Sequence, residues 1–287
     1  MPQPEEIALF EAQRPRLLRL AYRMLGSVAE AEDVVQDAWL RWSEASGIDS
    51  PPAWLTRVVT RLCLDRMKSA RARRETYFGT WLPEPLLAEP EAIADDVTLT
   101  LMIALERLSP LERAAFLLHD VFEVSLGDVA ATLGRDAGAV RQLAVRARRH
   151  VQESKSRYTV EDGEAERIAQ AFFTAARDGD TAALQAMLAE DVVIHADGGG
   201  RVLAFRNPIR GIARVLRLYA SLFRKFGDAA TLLRTLRIDG LPGFVSIDRG
   251  DVLQTTALAI EDGRITAIYI VRNPDKLGHV VQALPIN

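Results

Sequence analysis

Apolar positions in the first part of the chain recur at three- and four-residue steps. Ile7, Phe10, Leu17, Leu18, Ala21 and Leu25 form one such stripe, the mark of an amphipathic helix. Gly26 ends it, and Ser27 with Glu30 makes a capping box for a second helix carrying Val34, Val35, Ala38, Trp39 and Trp42. Breakers from Gly47 to Pro52 predict a loop. From Ala53 a long helix runs through Leu55, Val58, Val59, Leu62 and Met67 into a run of arginines. Residues 98–152 are helical again. Ser109-Pro110-Leu111-Glu112 combines a capping serine, a proline at the first helical position and a glutamate three residues on. Ser125 with Asp128 starts a short helix, Gly134 stops it, and Asp136 caps an arginine-rich one. Two short helices about a glycine turn are a helix-turn-helix pattern.

Between these stretches, Thr76 to about Ala94 shows no helical period and holds Pro83, Pro85 and Pro90, so it reads as a semi-rigid linker. Tyr77, Phe78, Trp81, Leu82 and Leu86 are too apolar for an exposed tether, which predicts that the linker docks on a folded surface. After a polar joint at 152–163 the texture changes. Helices are expected over Glu164–Arg177, Thr181–Leu188 and Ile209–Phe223. Strands are expected near Val192–His195, Val202–Phe205, Leu232–Ile238, Gly243–Ile247, Asp251–Ile260 and Arg264–Val271. Asp262-Gly263 makes the last two a hairpin, and the whole predicts a curved antiparallel sheet wrapped by helices, an α+β domain.

Composition excludes several classes. The chain has 287 residues, 48% hydrophobic and 26% charged, with no apolar run long enough for a membrane span. Cys63 is the single cysteine, so no internal disulfide forms, and four scattered histidines show no metal-ligand spacing. The acidic N-terminus, without a basic-then-apolar run, reads as that of a cytosolic protein. The formal net charge of −3 hides two basic islands. Residues 52–74 hold seven basic side chains against Asp65, and residues 135–149 hold five against Asp136. The 60 residues between them hold two basics against eleven acids. Separated islands, the second inside a helix-turn-helix, fit two phosphate contacts. The N-terminal turns of the arginine-rich helix would present Gly138, Ala139, Arg141 and Gln142 to base edges, with Arg146, Arg148 and Arg149 nearer the phosphates.

The segments DVVQDAWLRW, PPAWLTRVVTRLCLDRMKSARARR and LSPLERAAFLLHDVFEVSLGDVAATLGRDAGAVRQLAVRARRHV together resemble an extracytoplasmic-function (group IV) sigma factor of bacterial RNA polymerase. The resemblance covers about residues 5–152. Trp81-Leu82-Pro83-Glu84-Pro85, Asp197-Gly198-Gly199-Gly200 and Asn273-Pro274-Asp275-Lys276-Leu277 resemble signatures of the SigJ-like subgroup, whose members carry a C-terminal SnoaL-like domain. The resemblance implies two all-α sigma domains, the second a helix-turn-helix, followed by an α+β cone. The expected boundaries are a core- and minus-ten-binding domain at 1–76, a linker at 77–97, a helix-turn-helix domain at 98–154, a joint at 155–164 and a regulatory cone at 165–287.

It implies roles as well. Asp33, Val34, Val35, Gln36, Asp37, Leu40 and Arg41 would bind core RNA polymerase. Trp54, Arg57, Arg61, Arg66, Lys68, Arg71, Arg73 and Arg74 would hold the minus-ten element of promoter DNA, and the helix-turn-helix would read minus-35. Ala139 and Leu143 depart from residues common in such recognition helices, which leaves the minus-35 sequence open. In the cone, His195 and Asp197 lie two apart on a strand and face the same way. One reading makes them a proton-transfer pair. The preferred reading has Asp197 opening a glycine turn and His195 as a packed or rim residue, with the DGGG turn and the NPDKL tail as regulatory contact surfaces for the sigma domains or the linker. On this reading the chain is not an enzyme, takes no cofactor or metal, touches no membrane and is regulated in cis by a domain that replaces or supplements a separate anti-sigma protein. The alternative is a bifunctional chain whose cone turns over or senses a small-molecule ligand in a C-terminal pocket.

Overall fold

The capping residues of the sequence sit where a computed structural model of the chain starts and stops its helices. The structure describes residues 4–75, 77–87, 99–152 and 161–284, without the side chains of 69–75, 152 and 162. Helix α1 spans Pro4–Leu25, α2 Val28–Glu44 and α3 Pro51–Glu75. Ser27 caps α2 by accepting the Glu30 amide at 3.2 Å. Helix α4 spans Leu99–Leu105 and α5 Pro110–Phe116, the latter opened by a reciprocal Ser109–Glu112 capping box. A π-helical turn, Leu117–Val121, continues α5. Helices α6 (Leu126–Leu133) and α7 (Ala137–Gln152) follow, separated by Gly134 at φ +63°, a left-handed geometry that glycine adopts without strain. Together α1–α7 build one compact unit. Its core includes Leu17, Leu20 and Met24 of α1, Val34 and Ala38 of α2, Leu55, Val59 and Cys63 of α3, and Leu117, Val140 and Ala147 beyond.

The second unit begins at Thr76, takes in the linker to Ala88, and resumes at Ser156. It contains α8 (Asp162–Asp178), α9 (Thr181–Met187), β1 (Leu188–Asp197), β2 (Ile209–Arg210), α10 (Ile212–Phe226), β3 (Thr231–Ile238), β4 (Leu241–Asp248), β5 (Val252–Glu261), β6 (Arg264–Val271) and α11 (Gly278–Ala283). The sheet order is β2-β1-β6-β5-β4-β3. Three expectations are corrected. The sheet is mixed, because β1 runs parallel to β6: the chain leaves β1 through α10 and returns to it only after β3–β5 have been laid down. The strand expected at Val202–Phe205 is absent, since Gly198 O accepts the Arg201 and Val202 amides (2.9 and 3.2 Å) and closes a turn. Ile209 and Arg210 pair with β1 as a short strand, so α10 starts only after Gly211, at φ +88°.

Both faces of this sheet are covered. The β1–β6 register puts Ile194 and Ala196 beside Ile268 and Ile270 on one face. That face packs on α8 and α10, where Phe172 meets Tyr219 edge-on at 5.8 Å between ring centroids. His195 and Asp197 lie on the other face beside Tyr269 and Val271, and Asp197 there meets the linker.

Candidate functional site

On α7 the structure separates the residues that support the helix from those it presents. Asp136 Oδ1 accepts the Ala139 amide at 2.8 Å and caps the helix. Val140, Leu143, Ala144 and Ala147 are buried, while Gly138, Arg141, Gln142 and Arg149 are exposed, with Ala139 half-buried. Burial of Leu143 is why a basic residue has no place there. Arg146 and Arg148 are engaged inside the unit: Arg146 Nε donates to Glu112 Oε1 at 2.9 Å and Arg148 Nε to Asp120 Oδ1 at 2.6 Å. Burial of Glu112 works against its charge, but Ser109 and Arg146 outweigh that and hold its carboxyl below the usual range. Val145, which sequence reasoning did not single out, is 55% exposed on the presented face.

The α2 face divides likewise. Val34 and Val35 point into the core, while Asp33, Gln36, Leu40 and Arg41 are exposed and Asp37 is half-buried. On α3, Arg66 reaches back to α2, donating to Asp33 Oδ2 (3.3 Å) and Asp37 Oδ2 (3.0 Å). Lys68 pairs with Asp65 on its own helix. Trp54 is half-buried, its ring 5.9 Å from that of Trp42, and Arg57 is half-buried too. Arg61 is exposed and its Nε donates to Thr132 O of α6 at 3.4 Å. The side chains of Arg71, Arg73 and Arg74 lie outside the described residues.

A junction of arginines within this unit went unseen in the sequence. Arg113 is 1% exposed. Its guanidinium donates to Met24 O at the end of α1 (2.8 Å) and twice to Leu105 O (2.9 and 2.6 Å), and it pairs with Glu106 at 2.8 Å. Arg16 and Arg23 of α1 each place a guanidinium 5.3 Å from the Phe122 ring, just past the π-helical turn. The available signal was a cation whose neighbours three and four residues on, Phe116 and Leu117, are apolar.

In the second unit the three short motifs converge on one carboxylate. Asp197 is fully buried. Its Oδ1 accepts from the Tyr77 hydroxyl (2.6 Å) and the Gly199 amide (3.0 Å), and its Oδ2 from the Leu82 amide (2.9 Å) and Lys276 Nζ (2.7 Å). Lys276 also donates to Leu82 O and lies over the Trp81 ring, 4.2 Å from its centroid. Asn273 donates to the Tyr77 hydroxyl at 3.0 Å. Burial and the neighbouring Asp197 carboxylate push the Tyr77 hydroxyl well above the ordinary tyrosine range, so it remains a donor. The glycines are steric necessities: a Cβ at Gly198 would strike Val202 O, and one at Gly199 the Asn273 side chain. Leu82, Pro83, Glu84 and Pro85 are buried. His279 Nε2 lies 2.7 Å from Pro85 O. Asp239 accepts the Leu86 amide through Oδ2 (3.2 Å) and donates its own amide to Leu86 O (2.8 Å), and Leu87 bridges to Ile238 at the edge strand β3. Pro274 and Asp275 lie on a 3-10 turn, Asp275 pairing with Arg201 at 3.2 Å, and Leu277 is buried. His195 stacks on Tyr269 at 5.3 Å. A proton-transfer role for Asp197 finds no support, since both its oxygens are occupied by the linker, its own turn and Lys276. Among the described residues no group of three or more His, Cys, Asp or Glu side chains is placed to hold a metal ion, and no helix is long and apolar enough to cross a membrane.

Comparison with known families matches Sigma-70 region 2 to residues 9–73, Sigma-70 region 4 to residues 99–151 and a SnoaL-like domain to residues 169–268. The chain is 38% identical over 290 residues to the ECF RNA polymerase sigma factor SigJ of Mycobacterium tuberculosis, covering 94% of this chain and 93% of that one. A SigI factor of the same species is 34% identical over 94% of both. The crystal structure of the M. tuberculosis SigJ superposes with a TM-score of 0.79 at 34% identity, over 98% of this chain and 100% of that one.

Proposed function

The chain belongs to the extracytoplasmic-function sigma factors of bacterial RNA polymerase, and from that premise we propose how its parts divide the work of promoter recognition. The observation that carries the function is the likeness to such a factor along 94% of the chain, three domains in the same order. The exposed α2 side chains Asp33, Gln36, Leu40 and Arg41 meet core polymerase, the basic α3 holds the opened minus-ten strand, and Arg141 with Gln142 reads minus-35 bases. The SnoaL-like unit regulates in cis, taking the part that a separate anti-sigma protein plays elsewhere. No enzymatic step is assigned to it, because Asp197, the acid on which the motifs converge, serves the linker.

Geometry gives the regulation its physical content. Elements named for positions −10 and −35 are roughly 25 base pairs apart, about 85 Å on straight duplex. In the free chain α3 and α6 touch through Arg61 and Thr132 O, so the two readers must part before both can bind. The 23 residues between α3 and α4 extend to at most about 80 Å. While Tyr77 and Leu82 are bound to one carboxylate that stretch is folded back, and its reach is shorter. The closed unit with a clasped linker is therefore the resting state, and release of the linker favours the open, promoter-binding one. Run-off transcription with core polymerase tests the assignment. The chain should give a defined transcript from its own promoter, and Arg141→Ala should cut it about tenfold or more, on the scale of one base contact. No transcript, together with no binding to core, would contradict the assignment.

A further inference from the structure

The second unit carries a third basic stretch, besides the islands at 52–74 and 135–149. Between residues 201 and 237 there are nine arginines and lysines and one acid, Asp228, in a chain whose formal net charge is −3. Helix α10 sorts these charges. Val215 and Tyr219 are buried and Ile212, Leu216, Leu218 and Leu222 pack against the same core, while Arg214, Arg217, Arg224 and Lys225 are exposed on the opposite side. Arg210, just before the helix on β2, is exposed too. None of Arg210, Arg214, Arg217 and Arg224 has a carboxylate partner among the described residues.

An ordinary solvated helix face mixes its signs, as α8 does with Glu164, Glu166, Arg167, Arg177 and Asp178. Like charges three residues apart, as Arg214 and Arg217 are, instead weaken their own helix slightly, so folding does not account for them. Arg214 to Arg224 rises about 15 Å along the helix, enough to face roughly four phosphates of one strand of a duplex. We propose that the α10 face is a third DNA-contacting surface, binding the phosphate backbone of promoter duplex independently of sequence. Arginine without neutralising carboxylates suits phosphate recognition. The contact is electrostatic, so it adds to affinity and salt dependence and leaves base preference to α7.

The test is the combined variant Arg214→Gln/Arg217→Gln/Arg224→Gln in the full chain, assembled with core polymerase. Binding to labelled promoter duplex, and to a duplex of equal length lacking both elements, is measured from 50 to 200 mM salt. The slope of log affinity against log salt should become shallower by about 2.7, three contacts at about 0.9 each, and equally on both duplexes. The parent's advantage over the variant then shrinks roughly 40-fold across that salt range. An unchanged slope overturns the proposal. So does a loss of affinity for core polymerase without DNA, which would make the row a polymerase contact. Because all three side chains are exposed, the melting midpoint should not move. If the parent holoenzyme fails to prefer promoter over control duplex, the promoter-reading assignment fails, and the slope difference still decides this one.

Discussion

Asp197 shows how much one side chain can organise. It is buried with four donors, one of them the cation Lys276, and removal of either charge leaves the other stranded in a site where water is scarce. Asp197→Asn keeps one acceptor oxygen, enough for Tyr77 or for Leu82 but not for both, and takes from Lys276 its carboxylate, at a cost of about 3 kcal/mol. That is enough to populate the released linker about a hundredfold more. The expected outcome is markedly faster limited proteolysis within residues 77–87, with cleavage elsewhere unchanged. An unaltered cleavage rate would mean that the carboxylate does not hold the linker. From the sequence, Asp197 was legible as the opening of a glycine turn, and the linker as apolar enough to need a surface. That the two meet was not legible, because 115 residues separate Leu82 from Asp197 and nothing local marks the pairing.

At the scale of elements, caps and breakers carried the prediction. Ser27, Ser109, Ser125 and Gly134 act within a turn of their own positions, so local sequence suffices to place helix ends. Sheet pairing depends on distant partners, and the parallel β1–β6 pair and the two-residue β2 were missed for that reason. The basic row on α10 went unseen because the whole-chain charge is near balance. Arg113 belongs here too, as it ties the end of α1 to α4 and α5 by satisfying carbonyls that helix geometry leaves open. Arg113→Met retains much of the volume but strands Met24 O, Leu105 O and the Glu106 carboxylate. Unfolding in urea should show a loss of about 3 kcal/mol, and a midpoint equal to the parent's would show that the junction contributes nothing.

For the molecule as a whole, the two proposed readers, α3 and α7, are assembled as one unit in the free chain, and the described part of the linker, 77–87, belongs structurally to the other. A promoter with its elements about 85 Å apart demands the opposite arrangement, readers apart and linker paid out. The account therefore centres on one equilibrium, between a closed chain with a clasped linker and an open chain on core polymerase and DNA. It is tested most directly by the distance between spin labels at Asp65→Cys on α3 and Ala131→Cys on α6. The buried Cys63 stays unlabelled. The account predicts a short distance in the free chain and one longer by several tens of ångströms in the promoter-bound holoenzyme. The same distance in both states would contradict it.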